Sequence, residues 1–324
     1  MKRIIPLCFA LVMTVGLLAG CGKQNEPAAS DETRLRVVTT IFPEYDWVRE
    51  ILGDKADNAE VTMLLDNGAD LHSYQPTADD IVKISECDLF IYVGGESDDW
   101  VDDALKNAAN KNMKVINLLE ALGERVKTEE AVEGMQEEEH DHEEEAEYDE
   151  HVWLSLKNAQ TLCSAISGVL QQIDPDNKDT YAANASAYIK KLSALDADYQ
   201  AAVNAATRKT VLFGDRFPFR YLAEDYGLRY YAAFAGCSAE SEASFETISF
   251  LAGKVDELNL PCVLTIEGVQ HKIAETIVRN TAAKNQKVLT MDSMQSTTSK
   301  DAANGTTYLS IMERNLSVLK EALG

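Results

Sequence analysis

Imidazole and carboxylate side chains are concentrated in one stretch, Glu137 to Leu156, which reads EEEHDHEEEAEYDEHVWLSL. The whole chain holds only five histidines, and His140, His142 and His151 fall here. Such a donor mixture suits borderline divalent cations such as Zn²⁺ or Mn²⁺. The run Glu137 to Glu150 is too charged to bury surface, so a loop is expected. His151 opens an apolar segment, Val152-Trp153-Leu154, that should hold it on a rigid edge. An acidic run alone is ordinarily a solvating loop, and the histidines in and after it turn the reading toward metal. His72 lies in DLHSYQPT, a loop segment. His271 sits in a helical pattern and reads as a surface residue. Asp292 closes VLTMD, where a carboxylate either faces a cleft or caps the next turn.

Other chemistries are poorly served. His142-Glu143 begins like H-E-x-x-H, but the last position is Ala146 and the stretch is not an apolar helix. There is no G-x-S-x-G, no Walker loop and no G-x-G-x-x-G. Carboxylates are so abundant that any glycosidase-like pair arises by chance.

The elements that must position these groups follow a βα alternation. Arg36–Thr40, Glu60–Leu65, Asp88–Val93 and Lys114–Leu118 read as strands. Helical segments lie between them from Pro43 to Ile51, Thr77 to Ser85 and Asp98 to Ala108. This pattern predicts βαβ units and a mainly parallel sheet, with ligands outside the carboxyl ends of the strands. His72 follows the second strand and the acidic loop follows the fourth. Leu156–Ile173 is helical and ends at Asp174-Pro175. From Lys178 to Thr207 one uninterrupted helical pattern places Tyr181, Ala185, Tyr188, Leu192, Leu195, Tyr199 and Val203 on a single face. That helix is long enough to join two lobes. The alternation then repeats, with strands Thr210–Phe213, Arg229–Ala232, Cys262–Ile266 and Lys287–Met291. The helices of this half are Phe217–Asp225, Phe245–Leu258, Val269–Ala283 and Tyr308–Leu323. The expected fold is therefore α/β: two lobes, each with a mainly parallel four-stranded sheet and flanking helices, joined by one long helix.

The 324 residues are enough for two lobes and more than one core. A net charge of −24 excludes nucleic acid as a partner, because phosphates are repelled, and is compatible with cations or with solubility alone. Lys2 and Arg3 precede the apolar Ile4–Leu18, too short to span a bilayer, and Leu18-Ala19-Gly20-Cys21 follows. Small residues before a cysteine resemble a bacterial lipobox. Residues 1–20 are then a signal peptide, Cys21 carries lipid, and 21–34 form a flexible tether. The expected location is extracytoplasmic, on the outer face of the bacterial cell membrane. The expected lobes are 35–176, which includes the acidic loop 137–150, and 208–324, with 177–207 as the linking helix. Cys87, Cys163, Cys237 and Cys262 lack C-x-x-C spacing, so a thiolate zinc site is not indicated. A Cys237–Cys262 bridge is left open by the sequence.

Taken in order, VVTTIFPEYDWVREI, DLHSYQPTADDIVKISECDLFIYVGG, the His-acidic loop, DEHVWLS, the helix pair, EDYGL and VLTMD resemble one family over essentially the whole mature chain. It is the metal-specific (zinc/manganese) solute-binding lipoproteins of bacterial ABC importers, cluster A-I. The resemblance implies two α/β lobes joined by a long helix, with metal bound between them. It implies ligands at His72, His151 and Asp292. The remaining family ligand, a histidine or glutamate, falls on Arg216, which cannot ligate a cation. The adjacent Asp215 is the expected substitute, redirected by Gly214, with Glu240, Glu242 and Glu267 as further candidates. A histidine-rich acidic loop is associated with zinc members, so His140 and His142 form an accessory metal loop. The implied function is high-affinity capture of Zn²⁺, with Mn²⁺ as alternative, and delivery to a membrane permease by a monomer that catalyses no reaction. An exported zinc hydrolase or an adhesin are the alternatives of another class.

Overall fold

The computed structural model describes residues 34–136, 147–238, 242–268 and 271–324. The leader and tether with Cys21, the loop histidines His140 and His142, and Glu240 lie outside the described residues.

Two all-parallel, four-stranded sheets form the frame. The first contains β1 (Leu35–Thr39), β2 (Ala59–Met63), β3 (Leu89–Tyr92) and β4 (Lys114–Asn117) in the order β2-β1-β3-β4. The second contains β5 (Thr210–Arg216), β6 (Arg229–Phe234), β7 (Cys262–Thr265) and β8 (Lys287–Thr290) in the order β6-β5-β7-β8. Each order reverses beside the first strand of its lobe, which leaves a crevice at the carboxyl ends of β1 and β3 and of β5 and β7. Parallel strands are covered on both faces, so they read as short apolar runs such as Leu-Phe-Ile-Tyr in β3.

Helices α1 (Phe42–Leu52), α2 (Ala78–Glu86), α3 (Val101–Lys106), α4 (Leu118–Leu122) and α5 (Leu156–Ile173) accompany the first sheet. The second sheet is accompanied by α7 (Arg220–Tyr226), α8 (Phe245–Glu257), α9 (Lys272–Asn280), α10 (Ser299–Ala303) and α11 (Tyr308–Leu323). Between the two groups runs α6 (Lys178–Ala205). At about 1.5 Å per residue its length is about 42 Å. Its buried face is Tyr181, Ala185, Tyr188, Leu192, Leu195, Tyr199 and Val203. The early part of this face packs on α1 and α5, while Tyr199 stacks on Tyr226 of α7 at 5.2 Å and donates to the Met312 carbonyl of α11. One helix thus carries contacts to both lobes.

Several boundaries differ from the sequence reading. β5 runs on to Arg216, with an irregularity in its pairing to β6 after Phe213. The segment 98–108 is split into a 3₁₀ turn, Glu96–Asp98, and the short α3. α9 begins only at Lys272, so His271 stands at its N-cap and not within it. The short α4 and α10 carry too few residues for a periodicity to register. All four described cysteines are free.

The C-terminal helix returns to the first lobe. Tyr308 meets Trp47 of α1 edge-on at 5.2 Å, and its backbone N–H donates to Asp46. Its hydroxyl donates to the Trp153 carbonyl at 2.6 Å. The Trp153 indole N–H in turn donates to the Ser293 carbonyl at 2.9 Å. Trp153, Trp47 and Tyr308 are fully buried. This aromatic cluster is the anchor for the segment that carries His151.

Candidate metal centre between the lobes

His72 and His151 come from different loops and meet ring to ring. Asp70 accepts the His72 backbone N–H at 3.1 Å and so opens the 3₁₀ turn Leu71–Ser73. Leu71 is buried beneath that turn. His151 precedes the 3₁₀ turn Val152–Leu154, all of it buried, and lies 5.2 Å from the Trp153 ring. The two rings are 5.2 Å apart, centroid to centroid, with Nε2 facing Nε2 at 3.3 Å.

Each ring has its other nitrogen occupied. His151 Nδ1 lies 3.0 Å from Asp149 Oδ1, which also accepts the His151 backbone N–H. His72 Nδ1 lies 2.9 Å from the Ser97 hydroxyl and 3.4 Å from Glu150 Oε2. With its proton on Nδ1, each ring donates to Asp149 or to Ser97 and keeps a lone pair on Nε2, while the buried Glu150 Oε2 has no hydrogen-bond partner among the described residues. Burial, followed by the neighbouring His151, pushes His72 down to about 3, so its imidazole is neutral at ordinary pH. At 3.3 Å the two Nε2 atoms can share a proton in an N–H···N hydrogen bond or bracket a cation, and the Gln295 side-chain amide also lies 3.2 Å from His151 Nε2. For a tetrahedral zinc with Zn–N of about 2.0–2.1 Å, the N···N edge is about 3.3–3.4 Å. The observed spacing matches that edge.

A third donor belongs to the same group. The potential ligand atoms of His72, His151 and Cys237 all lie within 4.8 Å of one another. The sequence does not mark Cys237 as a ligand, because no second cysteine stands at zinc-finger spacing. Burial first, and then Glu129, Asp149 and Glu150, push its thiol up.

The structure does not bring Asp215 or Asp292 into this group. Asp215 Oδ2 accepts from the Thr265 hydroxyl at 2.6 Å and from the Ile266 N–H at 3.4 Å, and its Oδ1 accepts the Arg216 N–H. Gly214 does not act as a swivel. A Cβ there would lie 2.5 Å from Ala274 Cα, so the glycine lets β5 press against α9, and Asp215 is directed to the β7 end. Asp292 Oδ1 accepts the Met294 N–H at 2.8 Å and its Oδ2 lies 3.8 Å from Arg314. It caps a turn and lies beside Asn315 of α11. Glu267 is committed to the Ser293 N–H and hydroxyl and to the Gln295 N–H.

Beside the histidine pair lies a cleft of about 780 Å³ whose walls include His72, Asp215, Arg216, Glu242, Glu267 and His271. His271 therefore lines the cleft, with Nδ1 3.0 Å from the Thr265 hydroxyl, and is not a plain surface residue. Arg216 crosses this space. Its guanidinium pairs with Asp70 in the first lobe and donates to the Ser238 carbonyl in the second.

Comparison with known proteins accords with this layout. The zinc-binding lipoprotein AdcA of Streptococcus pneumoniae serotype 4 is 32% identical over 99% of this chain. The match takes in 61% of AdcA, so the chain spans about three-fifths of that relative's length. The high-affinity zinc uptake system protein ZnuA of Bacillus subtilis is 31% identical, over 99% of this chain and 96% of its own. Among solved structures, the Zn(II)-bound ZnuA-like domain of S. pneumoniae AdcA superimposes with a TM-score of 0.69 and 30% identity, covering 90% of this chain and 99% of that domain. Residues 37–322 match the family described as ZnuA, zinc-uptake complex component A, periplasmic, and the chain belongs to that family.

Proposed function

We propose that this protein captures Zn²⁺ with high affinity in the cleft between its lobes, with His72 and His151 as ligands. It hands the ion to the membrane subunit of an ABC permease and catalyses no reaction. The observation that carries this reading is the Nε2···Nε2 approach of 3.3 Å between two rings whose Nδ1 atoms are already engaged. Support also comes from the relatives, which are named for zinc binding and zinc uptake. Borderline Zn²⁺ forms stronger complexes than Mn²⁺ at a nitrogen-bearing site. Calorimetric titration of the purified protein tests the reading. His72→Ala and His151→Ala should each weaken tight Zn²⁺ binding by about 100-fold or more, above the roughly 10–100-fold typical of outer-shell partners. His271→Ala should leave it within a few-fold of wild type. Equal losses at all three positions would remove the basis for the assignment.

The leader residues extend the proposal to location. A lipid on Cys21 would hold the protein at the outer face of the cell membrane, close to the permease. Cys21→Ala should move the protein from the membrane fraction to the soluble fraction, and an unchanged distribution would refute the anchor.

A further inference from the structure

We propose that Cys237 is the third protein ligand of this centre, making it a mixed imidazole–thiolate site built for a thiophilic divalent cation. The inference rests on the zinc-capture reading above and adds to it the donor that sets metal preference. Its first ground is position: the Cys237 sulfur shares a span of 4.8 Å with one ring nitrogen of His72 and one of His151. A tetrahedral zinc with Zn–S of about 2.3 Å and Zn–N of about 2.0–2.1 Å needs an S···N edge of roughly 3.6 Å, which fits within that span.

The second ground is how the segment is held. Gly236 lies against the His151 ring: a Cβ there would come within 3.1 Å of Nδ1 and 3.2 Å of Cε1, and within 3.0 Å of the Phe217 carbonyl oxygen. A side chain at 236 would crowd the His151 ring by a few tenths of an ångström, so glycine suits the close approach of this segment. The Cys237 N–H donates to Glu129 Oε1 at 2.8 Å, which fixes the residue from the acidic-loop side. The next residue, Ser238, gives its carbonyl to Arg216, and Arg216 also holds Asp70, two residues before His72. A guanidinium has no lone pair for a metal. Here it instead ties the strand-end of the second lobe to the His72 turn, with Cys237 beside the junction.

Binding then forms a metal–sulfur bond in place of the S–H bond and releases one proton to water. Two neutral imidazoles and one thiolate leave a zinc centre with a formal charge of +1. Sulfur ligation favours Zn²⁺ and disfavours Mn²⁺, which prefers oxygen donors.

Cobalt(II) is the probe. The wild-type protein loaded with Co²⁺ should show a near-ultraviolet thiolate-to-metal charge-transfer band. Cys237→Ser should abolish it, and Cys163→Ser, at a buried thiol of α5, should retain it. Zn²⁺ affinity of Cys237→Ser should fall by about 100-fold or more, beyond the roughly 10–100-fold loss expected for an outer-shell group. Cys237→Asp keeps a ligating atom, so it should retain part of the Zn²⁺ affinity without the band and narrow the preference over Mn²⁺. That variant separates ligation from packing. Tight Zn²⁺ binding by the wild type with no charge-transfer band, or a Cys237→Ser protein with wild-type affinity, would overturn the cysteine while leaving zinc capture standing. Absence of tight Zn²⁺ binding in the wild type would overturn both.

Discussion

Asp149 does for His151 what Ser97 does for His72: it accepts a hydrogen bond from Nδ1–H and turns Nε2 toward the partner ring. A metal site depends on such outer partners because they set both tautomer and ring orientation. Asp149→Ala should therefore lower Zn²⁺ affinity by about 10–100-fold even though the side chain need not touch the ion. The check is competitive titration against a chelator of known affinity, and an unchanged constant would mean that Trp153 packing alone orients the ring. His72 and His151 were legible in the sequence because His72 follows the second strand and His151 opens an apolar segment beyond the fourth, where parallel sheets present side chains to ligands. Asp215 misled because sequence proximity to Arg216 says nothing about direction. The Thr265 hydroxyl and the pressure of α9 on Gly214 decide where that carboxylate goes.

At the scale of elements, the residues on either side of the acidic run are attached to both lobes. Before it, the Gln136 N–H donates to the Ala233 carbonyl of β6, and its side-chain oxygen accepts the Ser244 N–H at the start of α8. After it, Thr128 and Tyr148 pair as an antiparallel bridge, and Glu147 accepts the Glu129 N–H at 2.7 Å. The flanks are thus fixed independently of residues 137–146, which carry His140 and His142. Replacing 137–146 with a short Gly-Ser linker should leave one tight zinc site and remove weaker zinc equivalents. Ligands on such a charged segment lose conformational entropy when they bind. Calorimetry resolves the two classes, and loss of the tight site would place the segment inside the main centre. The helix-forming stretches were readable from their period, with α5 ending at Asp174-Pro175, and the structure adds Ser155 and Thr307 as the N-caps of α5 and α11.

For the molecule as a whole, the joint between first helix and last helix contains a buried acid. Asp46 of α1 accepts the Tyr308 N–H at 3.0 Å, and burial pushes its carboxyl up to about 7 from an ordinary 3.8. A raised folded value means that the native state holds its proton where the unfolded chain has lost it. Asp46 thus contributes stability that is complete below about pH 4 and is lost as pH rises through about 7. Metal-free wild type should lose on the order of 2–3 kcal/mol from this group between pH 5 and pH 8. Asp46→Asn keeps an acceptor for Tyr308 and does not titrate, so its urea midpoint should fall less across that interval. Identical pH slopes for the two proteins would show that Asp46 is not the source.

The class of fold was determined by the sequence alone: eight apolar runs alternating with helical patterns, and one long helix with its buried stripe from Tyr181 to Val203, admit few arrangements other than two parallel-sheet lobes and a connector. These are local periodicities, and each is expressed by its own segment. The family resemblance came from the same ordered segments. Only the tertiary structure shows which side chains lie together: His72, His151 and Cys237. Cys237 is far from His72 and His151 along the chain, and its approach depends on Gly236 fitting against a ring and on an arginine joining two lobes. Contacts of that kind arise from the closing of separately encoded elements on one another. They leave no period and no spacing in the sequence from which they could be read.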